Sequence, residues 1–227
     1  MWQELFGARM SVHDTVKDLL RELGTVKLVC VTKTVEPAMI NEAIRAGATI
    51  IGENRVQELE RKLEELLPSE RHLIGHLQTN KVRKAVQLFD VIQSADSLKL
   101  LQDIDRKAGS LGKVQKLLLQ VNISEESQKF GFAEGELGQV LAEVRSLRHV
   151  RVEGLMCMAP FVPAEETRPY FRRMKTLFGN IRDTYGNAGN IDIRELSMGM
   201  SGDYRVAIEE GATMVRLGSS IFGDREY

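Results

Sequence analysis

The chain has 227 residues, 43% hydrophobic and 28% charged, and 31 Lys and Arg against 32 Asp and Glu leave a formal net charge of −1. A chain this long buries a sizeable core in one globular unit, and its composition is ordinary for a soluble protein. The near-neutral balance argues against a broad nucleic-acid footprint, and no apolar run is long enough to span a bilayer. The start Met1-Trp2-Gln3-Glu4-Leu5-Phe6 lacks a signal-peptide layout, so a cytoplasmic location is expected. The longest basic run, Lys81-Val82-Arg83-Lys84, reads as the solvated first turn of a helix. Cys30 and Cys157 sit in apolar runs without CxxC spacing and read as buried, reduced thiols.

In chain order, Val12, Val16, Leu19, Leu20 and Leu23 recur at helical spacing and predict a helix within 10–23, stopped by Gly24. Eight apolar runs follow, at 27–32, 49–52, 72–77, 91–94, 116–123, 152–158, 195–198 and 214–218. Helix-like stretches separate them, at 37–46, 56–67, 80–89, 97–108, 134–147, 165–184 and 203–210. Leu117-Leu118-Leu119-Gln120-Val121 has the continuous apolarity of a strand covered on both faces. This alternation predicts an α/β chain, a single (β/α)8 TIM barrel over 1–227 with one extra N-terminal helix. A doubly wound sheet would alternate similarly, but no Gly-rich dinucleotide fingerprint follows the first run. The likeliest long loop is 160–169, where Phe161, Val162 and Pro163 interrupt the pattern.

Barrel chemistry gathers where strands end. At such ends lie Lys33, Glu53-Asn54, His76 to Gln78, Asn122, Met156 to Met158, Ser197 to Ser201 and Arg216 to Ser219. Lys33 offers an amine whose proton is more easily shed at a buried strand end, although such a lysine also suits a surface ion pair. Ser197-Met198-Gly199-Met200-Ser201 and Gly218-Ser219-Ser220 offer backbone N–H groups and hydroxyls to an anion, or else a plain helix cap and a turn. Arg216, inside the last run, must either contact a ligand or pair with a carboxylate such as Glu153 or Glu195. An amine, an anion cradle and a fixed cation are what a phosphorylated aldehyde needs, and pyridoxal 5′-phosphate is the candidate cofactor. Asn54 could hydrogen-bond a ring substituent or begin a helix. Met156 and Met158 share a strand face and either pack on a flat ring or fill the core. His72 and His76, four apart on a strand, are too far separated for a metal, so no metal site is expected.

Longer motifs carry a resemblance. They are Val31-Thr32-Lys33-Thr34, Ile51-Gly52-Glu53-Asn54-Arg55-Val56-Gln57-Glu58, Ile74-Gly75-His76-Leu77-Gln78-Thr79-Asn80-Lys81, Leu196-Ser197-Met198-Gly199-Met200-Ser201 and the ending Ala207 to Gly223. In this order they resemble the YggS/PROSC group of pyridoxal-phosphate-binding homeostasis proteins, over nearly all of 28–223. The resemblance implies a fold-type-III barrel like the alanine racemase N-terminal domain, with Lys33 holding the cofactor as a Schiff base. It implies that Ser197, Ser201, Gly218 and Ser219 contact phosphate, that Arg216 faces the pyridine, and that Asn54 neighbours the ring. It matches Lys129 to a lysine suggested as a secondary cofactor contact. Members are thought to hold, buffer or pass on the cofactor, with apo-enzymes as acceptors, and have no established catalytic reaction.

The alternative is a cofactor-dependent enzyme such as an amino-acid racemase. Racemases of this fold need a second acid/base, usually a tyrosine from an added domain and a partner subunit. Of Tyr170, Tyr185, Tyr204 and Tyr227, only Tyr204 falls beside the expected phosphate loop, and packing is its expected role. Without that added domain a monomer is expected. A regulator that uses the cofactor as a signal is a third class, with no partner surface legible in the chain.

Overall fold

The computed structural model describes residues 10–126, 128 and 130–223. Among these residues eight parallel strands close into a barrel: β1 Lys27–Val31, β2 Ile50–Glu53, β3 Glu70–Leu73, β4 Val91–Ala95, β5 Gln115–Val121, β6 Val150–Cys157, β8 Ile191–Met200 and β9 Met214–Leu217. Neighbours pair in chain order from β1 to β6, β6 pairs with β8, and β9 joins β8 to β1, so the ring has no open edge. The remaining strand, β7 Asn187–Ala188, makes a short antiparallel pair with the start of β8. An open doubly wound sheet is thereby ruled out.

The crossover segments are helical. They are α2 Pro37–Arg45, α3 Val56–Lys62, α4 Val82–Leu88, α5 Leu98–Ser110, α6 Leu137–Val144, α7 Arg168–Tyr185, α8 Tyr204–Glu209 and α9 Ser219–Phe222. Ahead of them α1 spans Val12–Leu23, where Ser11 caps the start by accepting from Asp14 N–H. Gly24, at φ 58°, ends α1 by donating its N–H to the Leu20 carbonyl. Glu22 accepts from Tyr204 and Arg205, tying α1 to α8.

Period-two alternation sorts the strand residues into two layers. Leu28, Cys30, Ile51, Ile92, Leu117, Leu119, Leu155 and Val215 join the large core between strands and helices. Their neighbours point inward, where Val29, Ile50 and Met214 form one small cluster and Val91, Leu118 and Met156 another. The rest of the interior is polar, with His72, Gln93, Gln120, Ser197 and Arg216 all buried.

The apolar run at 72–77 is only partly strand. β3 stops at Leu73, and Ile74 and Leu77 are buried within the loop that follows. That loop passes so near β2 that a Cβ on Gly75 would lie 2.3 Å from the Asn54 carbonyl oxygen.

Closure between β6 and β8 rests on Gly154, at a register shift in their pairing. A Cβ there would lie 1.8 Å from the Glu195 carbonyl oxygen, and neither backbone can move without opening the ring. Gly154→Ala is expected to cost about 3 kcal/mol, the upper end for overpacking, read as a lower urea midpoint at unchanged slope.

Candidate functional site

A cavity of about 720 Å³ opens where the barrel strands end. This volume suits a small cofactor. Its walls include Lys33 after β1, Asn54 after β2, Gly75 and His76 after β3, Gln120 of β5, Met158 after β6, Ser201 to Asp203 after β8, and Arg216, Gly218 and Ser219 at β9. The site is thus assembled only by closure of the sheet.

Lys33 is half-buried in a turn whose next residue, Thr34, has φ 58°. The turn is held from behind. Lys62 of α3 donates to the carbonyls of Thr32 (2.9 Å) and Val35 (3.4 Å), on either side of Lys33. Lys62 is itself paired with Glu53 at 2.7 Å, and Thr32 donates to the same carboxylate at 2.6 Å. Burial raises the Glu53 carboxyl above its ordinary value, opposed by the Lys62 charge beside it. Sequence reasoning missed this clamp. Its signal is a lysine on the buried stripe Val56, Leu59, Lys62 of α3.

The two Gly/Ser loops form one wall. Ser201 Oγ accepts from the N–H groups of Gly218 (3.2 Å) and Ser220 (3.3 Å), which joins the loop after β8 to the start of α9. Asp203 also lines this wall, accepts from Met200 N–H at 2.6 Å, and is raised by burial from its ordinary carboxyl value. Gly199 does not line the cavity. At φ 91° a side chain there would meet the Ala207 Cβ at 2.6 Å, so this glycine lets α8 lie close rather than admitting an anion.

Arg216 forms part of the cavity lining while only 4% exposed. Its partners are the Ser197 hydroxyl (2.7 Å) and the Cys157 carbonyl (2.8 Å). The carboxylates considered for it are engaged elsewhere, Glu153 with Arg194 and Glu195 with Lys27. Burial pushes the guanidinium below its ordinary pKa. Ser197, expected to touch phosphate, instead lies fully buried between Arg216 and Gln93. Met156 is also corrected: it is fully buried in the inner cluster, whereas Met158 reaches the cavity.

His76 stacks on Phe130, with ring centroids 3.7 Å apart, and its Nδ1 lies 2.8 Å from Asp96. Neither Asp96 nor Phe130 was singled out in the sequence, because their connection to His76 exists only in three dimensions. Tyr204 is core, hydrogen-bonded to Glu22, and no tyrosine lines the cavity among the described residues. Lys129 and Tyr227 lie outside the described residues. Among the described residues no His, Cys, Asp and Glu cluster could hold a metal ion. Among the described residues no helix is long and apolar enough to cross a membrane.

Beside the cavity runs a groove of about 590 Å³ that shares Asn54, Gly75 and His76 and is lined by Arg55, Arg61 and Lys81 against Glu58. This excess of positive charge would draw an anionic ligand toward the mouth.

The family described as "Alanine racemase, N-terminal domain" matches residues 11–226. A pyridoxal phosphate homeostasis protein of Aquifex aeolicus is 41% identical over 204 residues, 88% of each chain. The chain belongs to the pyridoxal phosphate homeostasis protein family. Among solved structures of similar proteins, PipY of Synechococcus elongatus with PLP bound superposes with a TM-score of 0.84 at 38% identity, over 93% of this chain and all of that one. An alanine racemase of Clostridium difficile in complex with cycloserine reaches a TM-score of 0.75 at 16% identity, over 96% of this chain and 59% of that one, which shows a shared fold.

Both thiols sit in the barrel wall, and burial pushes Cys30 and Cys157 from an ordinary 9.0 up to about 12. A raised thiol favours the folded state below the unfolded-state pKa, and that contribution is lost as pH rises toward the folded value. Stability is therefore expected to fall above pH 9 by about 1.4 kcal/mol per unit for each thiol. Urea midpoints from pH 8 to 10.5 should decline less steeply in a Cys30→Ala, Cys157→Ala variant.

Proposed function

We propose that this protein reversibly holds pyridoxal 5′-phosphate on Lys33 in the cytoplasm, and buffers it or delivers it to apo-enzymes without a dedicated reaction of its own. The observation that carries this reading is that one cavity joins the Lys33 amine, the Arg216 guanidinium and the loops linked by Ser201. When bound, the cofactor supplies an aldehyde that condenses with an amine and a pyridine ring able to accept electron density.

The residues fit that group. Lys33 would supply the amine, held in place by the clamp on Thr32 and Val35. Ser201, Gly218 and Ser219 would hold the phosphate, and the basic groove would favour its approach. Arg216 would face the ring nitrogen. A guanidinium only donates, so it leaves that nitrogen without a proton and the ring a weak electron sink. Such a ring is better held than used for carbanion chemistry.

No tyrosine stands among the described lining residues, so a second acid/base of that kind would have to come from outside this cavity. Delivery to a protein is supported by the rim. Among the described residues, five of the eight exposed large hydrophobic ones, Phe130, Met158, Phe161, Val162 and Met200, line this cavity, and Phe161 is fully exposed. Apolar surface concentrated at one mouth suits transient protein contact. The rim would remain open in a monomer.

Borohydride treatment of protein loaded with the cofactor is expected to abolish its visible band and leave the added mass on the Lys33 peptide, and Lys33→Ala should remove both. A colourless protein that takes up no added pyridoxal phosphate would overturn the reading. Phe161→Ser is expected to slow transfer to an apo-enzyme severalfold while leaving cofactor affinity unchanged, as measured by recovery of apo-enzyme activity against direct titration.

A further inference from the structure

Below the cavity floor, polar side chains cross the barrel interior in single file. Arg216 of β9 donates to Ser197 Oγ of β8 at 2.7 Å, and Ser197 donates to Gln93 Oε1 of β4 at 2.7 Å. Gln93 Nε2 lies 2.7 Å from His72 Nδ1 of β3, and His72 Nε2, which makes no aligned hydrogen bond, comes within 3.3 Å of Glu70 Oε1. Arg216, Ser197, Gln93 and His72 are each at most 4% exposed, while the Glu70 side chain reaches solvent at the opposite mouth.

The direction of every bond follows from its first member. A guanidinium has no acceptor, so the Ser197 oxygen must receive and its hydrogen must go to Gln93. Gln93 therefore offers its carbonyl to Ser197 and its amide nitrogen to His72. His72 Nδ1 must then be unprotonated, which places the ring proton on Nε2, toward Glu70. The His72 ring in turn holds Glu70 below the ordinary carboxyl range, so the file ends on a carboxylate. Gln93 Nε2 also approaches Met214 Sδ at 3.2 Å, an acceptor too weak to turn the amide over.

We propose that Gln93, oriented by His72, is the positioning residue for Arg216. By fixing the Ser197 hydroxyl it sets the rotation of the guanidinium, and so the environment of whatever ring is bound above it. Apart from Ser197 and Cys157, nothing the structure records as a hydrogen-bond acceptor holds Arg216. Without Gln93 the Ser197 hydroxyl is free to turn, and the guanidinium retains only the Cys157 carbonyl as a directed anchor.

This inference rests on the cofactor reading above, and the tests separate the two. Wild-type protein that binds no pyridoxal phosphate would sink that reading and this inference with it. Given binding, Gln93→Met is expected to move the visible band and the pH midpoint of its titration, and to weaken cofactor affinity about tenfold, the scale of one lost hydrogen bond to a charged group. Ser197→Ala should shift the band alike, and the double variant should add nothing further, because both act through one chain. A purely structural role would lower thermal stability but leave the band and its pH midpoint at saturation unchanged, and that result would overturn the proposal. Nitrogen NMR of labelled histidine in unloaded wild-type protein gives a test free of folding defects. The expected result is His72 protonated on Nε2 and bare on Nδ1, and a proton on Nδ1 would refute the arrangement.

Discussion

A positive charge sealed into the barrel wall with no carboxylate in hydrogen-bond contact, and with Asp203 of the same cavity wall acting on it only through space, governs the arrangement of this protein. Removing a guanidinium from water is costly, and the interior meets that cost with neutral dipoles, the Ser197 hydroxyl and the Cys157 carbonyl. A carboxylate in their place would have consumed the charge. Dipoles support it while leaving its field directed at the cavity, where an anionic, electron-poor ring would feel it. Ser197, Gln93 and His72 of the inner layer follow from this choice, since each must satisfy the one before it.

The same logic appears on the outer side of β1 and β2, with the opposite solution. There Lys62 and Glu53 are buried as an ion pair, and the ammonium uses its remaining donors to grip the backbone around Lys33. One buried cation faces the ligand site and is held by dipoles. The other faces the helices, is neutralised, and holds the chain. Together they seat the amine just past the end of β1 and the guanidinium on its direct neighbour, because β1 pairs with β9.

Much of the architecture was legible because strands covered on both faces must be continuously apolar. The runs at 27–32 and 214–218 therefore stand out, and the N-terminal helix reads correctly from Val12 to Gly24. The run at 72–77 misled for the same reason, since a buried loop containing Ile74 and Leu77 looks apolar too. At the site, Lys33, Asn54, Ser201, Arg216, Gly218 and Ser219 were placed at strand ends and do converge on the cavity. Ser197, Gly199 and Met156 were assigned by motif proximity. Alternation puts Ser197 and Met156 one layer deeper, and the positive φ of Gly199 serves helix packing. Gln93, Lys62 and Asp96 drew no functional reading, and His72 was weighed only as a metal ligand, because their roles depend on contacts between strands or helices distant in sequence.

Ser201 ties the loops after β8 and β9 to each other through hydrogen bonds within the chain itself. The two loops of this wall are thus joined before any guest arrives. On the proposed reading, residence time would then be governed by the chemistry at Lys33 and by water reaching it, rather than by loop opening. For a store that must both fill and empty, that separates how firmly the molecule is held from how quickly it can be surrendered.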